Sequence, residues 1–267
     1  MYSIIFTDID GTLLHDDLSI GEDTISALRR ATEKGIITAL CSGRYLRSLE
    51  VIESRIGLKM MKIGFNGAMI EHEGRLIQDI RIDRDAYRKT VEFLKGKASV
   101  IITFTKDRYA LMGDVQWYER QHRILNDYGI CMDLSDPEDV RKATGEYPCK
   151  LLVKDDDTER IAELGKELSV LLEGQAEVFS SAPNNLEVMP LGISKGRALE
   201  AVSDLLSIPL SDMIAFGDWD NDAEMLRTAG MGVCMKNGSE TAKKAARMIT
   251  SSNNEDGIAA ALLTLGI

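Results

Sequence analysis

Asp8 and Asp10 stand one residue apart in "FTDIDGTLL", where an apolar run stops and a Gly-Thr turn begins. A buried strand has no use for two carboxylates, so they must face a partner that offsets their charge. Three more stretches carry polar groups in similar settings: Ser42-Gly43-Arg44 in "CSGR", Lys195 in "GISKG", and Asp218, Asn221 and Asp222 in "GDWDND". Together they offer several carboxylates, a hydroxyl with backbone N–H groups at a helix start, an ammonium and a carboxamide. Carboxylate oxygens suit a hard divalent cation, and Mg2+ is commonly held by a few of them, with water and substrate phosphate completing the shell. A helix N-terminus and a lysine suit the phosphate itself. A cation between carboxylates and a phosphoryl group also lets Asp8 approach an anion it otherwise repels.

Distant stretches act together only if the fold gathers them, and the apolar pattern predicts such a fold. "SIIFTD" is a short β-branched run, and "SIGEDTISALRRATEKG" reads as a helix with a Ser19-x-x-Glu22 capping box and Gly35 as its stop. "IITALCSG" follows as a second buried strand, "LRSLEVIESRIG" as a helix ending at Gly57, and "MKIGFNG" as a third strand. Strands apolar on both faces, separated by helices, argue for an α/β class with a parallel sheet covered on both sides. Such sheets place their ligand crevice at the C-terminal ends of the strands, where the four polar stretches fall. "AMIEHEGRLIQDIRI" then alternates around Glu73-Gly74 as a hairpin.

From Asp83 to Asn185 the texture changes to an α+β module. Helical runs "DAYRKTVEFLKG", "VQWYERQHRILNDYG" and "TERIAELGKELSVLLEG" separate short strands, and the acidic run Asp155 to Asp157 reads as a solvated turn before a helix. "SSAPNN" is turn chemistry, "LEVMP" returns to strand, and the βα rhythm resumes. The expected organisation is a core of residues 1–82 and 186–267 interrupted by a module of residues 83–185.

Composition narrows the function classes. A net charge of -11, with no basic run, repels nucleic acid. There is no basic leader and no apolar run near the roughly 18 residues that span a bilayer, so the expectation is a cytoplasmic protein with no membrane partner. Cys41, Cys131, Cys149 and Cys234 form no Cys-x-x-Cys pair, and His15, His72 and His122 no His-x-x-x-His spacing, which leaves zinc and disulfide frameworks without support. Neither acidic motif is a calcium loop: the sixth positions are Leu13 and Ala223 instead of Gly, and the twelfth are Ser19 and Ala229 instead of Glu. "NGS" at Asn237 matches a glycosylation pattern that, without a secretory signal, has no evident use.

"DIDGTLL", "CSGR", "GISKG" and "GDWDND", in this order and at these separations, resemble the four motifs of the haloacid dehalogenase superfamily of phosphohydrolases. The long insert resembles the large α/β cap, type IIB, of its Cof-type subfamily. The resemblance implies a Rossmann-like doubly wound core with an inserted cap that closes over the site, Mg2+ as cofactor, and a small phosphorylated metabolite, with a sugar phosphate the expected class, as substrate. It makes Asp8 the nucleophile that forms an aspartyl-phosphate, and Asp10 the acid that protonates the leaving alcohol and then takes a proton from water. Asp8, the Asp10 carbonyl and Asp218 would hold the metal. Ser42, Gly43 and Asn221 would bind phosphate, Lys195 would neutralise charge on Asp8 and phosphate, Thr12 would fix the turn, and Asp222 would orient Lys195 or metal-bound water. "FNGA" matches a loop of Cof-type members near the site, which adds Asn66 as a substrate contact.

Two positions stay open on sequence. Arg44 either clamps substrate or pairs with a carboxylate, and Trp219, where relatives often carry a small residue, either narrows the leaving-group pocket or packs under the cap. Two other functions use the same residues: a phosphomutase sharing the intermediate, and a regulatory protein holding Mg2+ and phosphate without turnover. An intact Asp10 argues against the latter, since binding alone needs no acid-base group. The oligomeric state leaves no sequence signal.

Overall fold

The first apolar run forms β1 (Ile4–Thr7), buried along its whole length. The structure, a computed structural model, describes residues 2–113, 129–131 and 136–267. After β1 come α1 (Glu22–Glu33), β2 (Ile37–Cys41), α2 (Leu46–Ile56) and β3 (Met61–Gly64). A hairpin of β4 (Met69–His72) and β5 (Arg75–Asp79) follows, turning through Glu73 and Gly74 with positive φ at both, as the alternation predicted. The expected capping box of α1 does not form. Gly21 occupies the N-cap with no side-chain bond, and Asp256, 232 residues away, accepts from the Thr24 N–H at 3.3 Å instead. The Ser19 hydroxyl pairs with His15 Nδ1.

The contact pattern divides the chain into two units, the second spanning Asp79–Ile193 together with Tyr45–Ser48. It contains α3 (Arg84–Leu94), capped by Asp83, then β6 (Val100–Phe104), β7 (Tyr109–Gly113), β8 (Gly129–Cys131), α4 (Pro137–Thr144), β9 (Lys150–Lys154), α5 (Thr158–Leu171), β10 (Ala176–Ala182) and β11 (Asn185–Pro190). The helix expected over "VQWYERQHRILNDYG" lies, but for its last residue, outside the described residues. The acidic run caps its helix: Asp157 accepts the Arg160 N–H, and Asp155 accepts from Ser99.

The boundaries differ from those expected at residues 83 and 185. "LEVMP" does not return to the first sheet. It is β11, paired antiparallel with β10 through a two-residue Pro183-Asn184 connection and with β9 on its other side, in a sheet ordered β10-β11-β9-β6-β7-β8. A tight turn between two short strands closes a hairpin more readily than it launches a crossover. Leu186 and Val188 accordingly pack with Tyr87, Val91, Leu164 and Leu168 in the core of the second unit, and so does Ile82 at its other end.

The first unit resumes at Ser194 with α6 (Lys195–Leu206), β12 (Met213–Gly217), α7 (Ala223–Thr228), β13 (Met231–Cys234), α8 (Glu240–Ala245), β14 (Met248–Ile249) and α9 (Gly257–Thr264). Its sheet runs β14-β13-β12-β1-β2-β3-β4-β5, parallel from β14 to β3. Ile4, Phe6, Ala39 and Ile63 pack on Leu199 and Val202 of α6 and Met225 and Leu226 of α7. α1 and α9 pack against one another. This is a doubly wound α/β core, and β1 is its topological switch point, with β2 on one side and β12 on the other. The C-terminal ends of β12, β1 and β2 are thus neighbours.

Candidate active site

Asp8 is the first residue beyond β1, and its N–H donates to Phe216 O of the adjacent β12 at 2.9 Å. The chain then folds back on itself: Leu13 and Leu14 both donate to Ile9 O, and Gly11 takes φ +80°, which favours glycine. A second reason for glycine is space, because a Cβ there would lie 2.4 Å from Asp218 Oδ2. Thr12, one residue on, donates its hydroxyl to Asp218 Oδ1 at 2.7 Å. The turn that follows the two acids therefore also braces the third.

The two acids of the opening motif have opposite surroundings. Asp8 is buried; the Asp10 side chain is 57% exposed and gripped by both arms of the Arg44 guanidinium, with Nε donating to Oδ2 at 2.8 Å and Nη2 to Oδ1. Of the two uses open to Arg44, the structure shows the carboxylate pair.

Lys195 opens α6, behind a Ser194 N-cap whose Oγ accepts the Arg197 N–H. Its ammonium is buried between two carboxylates, donating to Asp8 Oδ1 at 2.6 Å and Asp222 Oδ1 at 2.5 Å. The other oxygen of Asp222 accepts the N–H groups of Asp218 and Trp219, at 2.9 and 3.0 Å. Asp222 approaches this closely because residue 217 is glycine: a Cβ there would meet Asp222 Cβ at 2.5 Å.

Ser42 and Gly43 lie in a turn ahead of α2, which begins at Leu46, where the sequence pattern placed it. Ser42 is buried, its N–H on Ile63 O and its Oγ accepting the Arg44 N–H at 3.3 Å. Asn66 takes φ +54°, and its Oδ1, buried and without a partner among the described residues, lies 3.2 Å from where a Cβ on Gly43 would be. Asn221 and Trp219 are exposed beside Asp222, so Trp219 is not packed away. Sequence reasoning missed two supports on the loop after β13: the Ser239 N–H donates to Asp218 O, and Asn237 Nδ2 to Gly11 O, both at 2.8 Å.

Charge is unbalanced in this pocket. Asp8, Asp218 and Asp222 each bring an oxygen within 4.8 Å of the others, against one ammonium. Burial pushes the Asp8 carboxyl up to about 8, with Lys195 pulling it down and Asp222 and Asp218 adding to the rise. Burial likewise pushes Asp218 up to about 6, against the Thr12 hydrogen bond. Burial disfavours the Lys195 ammonium, but Asp222 and Asp8 outweigh it and keep it protonated. Both Asp222 oxygens are occupied by N–H donors, whereas among the described residues Asp8 and Asp218 each use one oxygen in a hydrogen bond and keep the other. That hard, anionic, oxygen-only donor set fits a divalent cation such as Mg2+.

A doubly wound core with a second, mainly antiparallel sheet, and a carboxylate–lysine pocket at its switch point, defines an α/β enzyme of phosphoryl chemistry. Residues 5–262 match the haloacid dehalogenase-like hydrolases, and the chain belongs to that family as a phosphatase of its Cof type. It is 30% identical over 265 residues to 5-amino-6-(5-phospho-D-ribitylamino)uracil phosphatase YitU of Bacillus subtilis, covering 96% of this chain and 94% of the relative. It is 31% identical to the HMP-PP phosphatase of Cronobacter sakazakii, over 86% of this chain and 82% of that one. The crystal structure of a haloacid dehalogenase-like hydrolase from Bacteroides thetaiotaomicron superposes with a TM-score of 0.88 at 27% identity, covering 99% of this chain and all of that one. Among the described residues, no helix is long and apolar enough to cross a membrane.

Proposed function

We propose that the chain is a Mg2+-dependent phosphatase of small phosphorylated metabolites, acting through an aspartyl-phosphate on Asp8. The observation that carries this reading is the state of Asp8, whose Oδ1 is fixed by Lys195 while its other oxygen is left to attack phosphorus. In the first step the Asp8 O–P bond forms and the P–O bond to the leaving group breaks, with the Asp10 carboxyl giving its proton to the leaving alkoxide. In the second, water attacks phosphorus, Asp10 takes its proton, and the Asp8 O–P bond breaks.

The Asp8 and Asp218 carboxylates, with the Asp10 backbone carbonyl, would hold Mg2+, which supplies charge neutralisation between carboxylates and phosphate. Lys195 offsets the growing charge on the transferring group, and Asp222 keeps it aimed. Ser42, Gly43 and Asn221 bind the phosphoryl oxygens, and a dianionic phosphate competes with Asp10 for Arg44, returning the Asp10 carboxyl to proton duty. The name of the Bacillus relative, with its phosphorylated ribityl chain, supports a sugar-like phosphate ester as substrate.

The test is phosphate release from a panel of sugar phosphates and p-nitrophenyl phosphate, with and without Mg2+, in wild type and Asp8→Asn. Release that needs both Mg2+ and Asp8 is expected. Full activity in Asp8→Asn overturns the mechanism, and no release from any ester, with binding retained, favours the regulatory reading.

A further inference from the structure

The asparagine of "NGS" has a use inside the protein. Asn237 Nδ2 donates to Gly11 O at 2.8 Å, and its Oδ1 accepts the Asn253 N–H at 3.0 Å. Asn253 carries the connection back to the same loop, its Nδ2 donating to Leu14 O at 2.9 Å and to Asp16 Oδ1 at 3.0 Å. Asn254 adds a reciprocal pair with Asp16, at 2.9 and 2.8 Å. The loop bearing Asp10 is thus held at three points by residues from the far end of the chain.

Of these points only Gly11 bears directly on the site. Glycine restricts its own φ and ψ least of any residue, so its peptide needs an outside bond to hold one orientation. The peptide is planar, so fixing Gly11 C=O also fixes the direction of the Thr12 N–H. Thr12 holds Asp218 Oδ1, and Gly11 itself borders Asp218 Oδ2. Asn237 lies at the surface, where its loss leaves no cavity and little cost to folding.

We infer that Asn237 is a positioning residue: it sets the Gly11–Thr12 peptide and, through Thr12, holds Asp218 in the orientation that receives the divalent cation. The kinetic side rests on the proposed function; the metal-binding side is read independently of turnover.

The test titrates Mg2+ against the full chain by thermal shift, and in parallel by phosphate release from p-nitrophenyl phosphate. Asn237→Ala removes both bonds. Asn237→Asp keeps the acceptor for Asn253 but turns an oxygen toward Gly11 O, and it serves alone if the alanine variant does not fold. Loss of one positioning bond predicts half-saturating Mg2+ about tenfold higher in both variants, with KM at saturating Mg2+ within about twofold. Asn254→Ala, which cuts only the Asp16 pair, should leave half-saturation unchanged. A merely structural link lowers Tm without moving half-saturation, and that result overturns the inference. A wild type that responds to Mg2+ but releases no phosphate overturns the proposed function and leaves the thermal titration to decide this one.

Discussion

Replacing Asp222 separates two readings of the carboxylate cluster. If Asp222 is the brace of Lys195, it is lost at a cost; if it is a metal ligand, removing it relieves repulsion in the metal-free protein. Its side chain is fully buried and accepts three bonds, from Lys195 and from the N–H groups of Asp218 and Trp219. In Asp222→Ala the two N–H groups lose their partner, at about 1–3 kcal/mol each, and a buried ion pair is broken, at about 3–5 kcal/mol. These costs share atoms and do not add, and weaker repulsion on Asp8 offsets part of them. The net expectation is about 3–5 kcal/mol, or a Tm lower by about 6–20 °C for a unit of this size. Asp222→Asn keeps an oxygen for the two N–H groups but turns its NH2, a second donor, toward the Lys195 ammonium, so only the share of the loss from the two N–H groups is spared. The assay is thermal unfolding in EDTA and then in saturating Mg2+. An unchanged or raised Tm in EDTA, with the Mg2+ response abolished, would refute the bracing role and make Asp222 a ligand.

Two further outcomes follow from the same pocket. Asp8 and Asp218 have folded pKa values raised above the ordinary carboxylate value, so the stability they contribute is present at low pH and lost as pH rises through about 6 for Asp218 and about 8 for Asp8. Thermal unfolding in EDTA should therefore weaken from pH 5 to 8.5, and the stabilisation by Mg2+ should grow over the same range; a Mg2+ effect that shrinks as pH rises contradicts the charge argument. Gly11→Ala combines a positive φ, at about 1–2 kcal/mol, with a Cβ directed at Asp218 Oδ2. Calorimetric titration should show Mg2+ affinity falling more than thermal stability does, and equal loss of both would mean the loop gives way without disturbing Asp218.

The central strands were legible because burial on both faces leaves an unbroken apolar run, and Asp8 and Asp218 stood out because each follows such a run, whereas Lys195, at a helix start, stood out only in company with the other motifs. What escaped depended on pairing across long separations. The α1 cap was read as local, from Ser19 and Glu22, yet Asp256 supplies it, since no rule of spacing connects residues 232 positions apart. "LEVMP" has the same alternation whichever sheet it joins, and only the short Pro183-Asn184 connection indicated β10 as its partner. Arg44 was left between two uses for the same reason: an arginine in a loop meets whichever anion the fold brings, and here that is Asp10.

The arrangement explains why the two acids of "DIDG" need different surroundings. In the proposed mechanism Asp8 must stay fixed to attack one phosphorus atom, and burial against Lys195 fixes it, while desolvation makes its anionic form costly. In the same mechanism Asp10 exchanges protons with a leaving group and then with water, and its exposed side chain is open to both. The positive φ at Gly11 turns the chain just beyond Asp10, whose side chain stands at the rim with Arg44 while Asp8 stays under Lys195. Straightening that turn would therefore part Asp10 from Arg44 and withdraw the Thr12 hydroxyl from Asp218 at once.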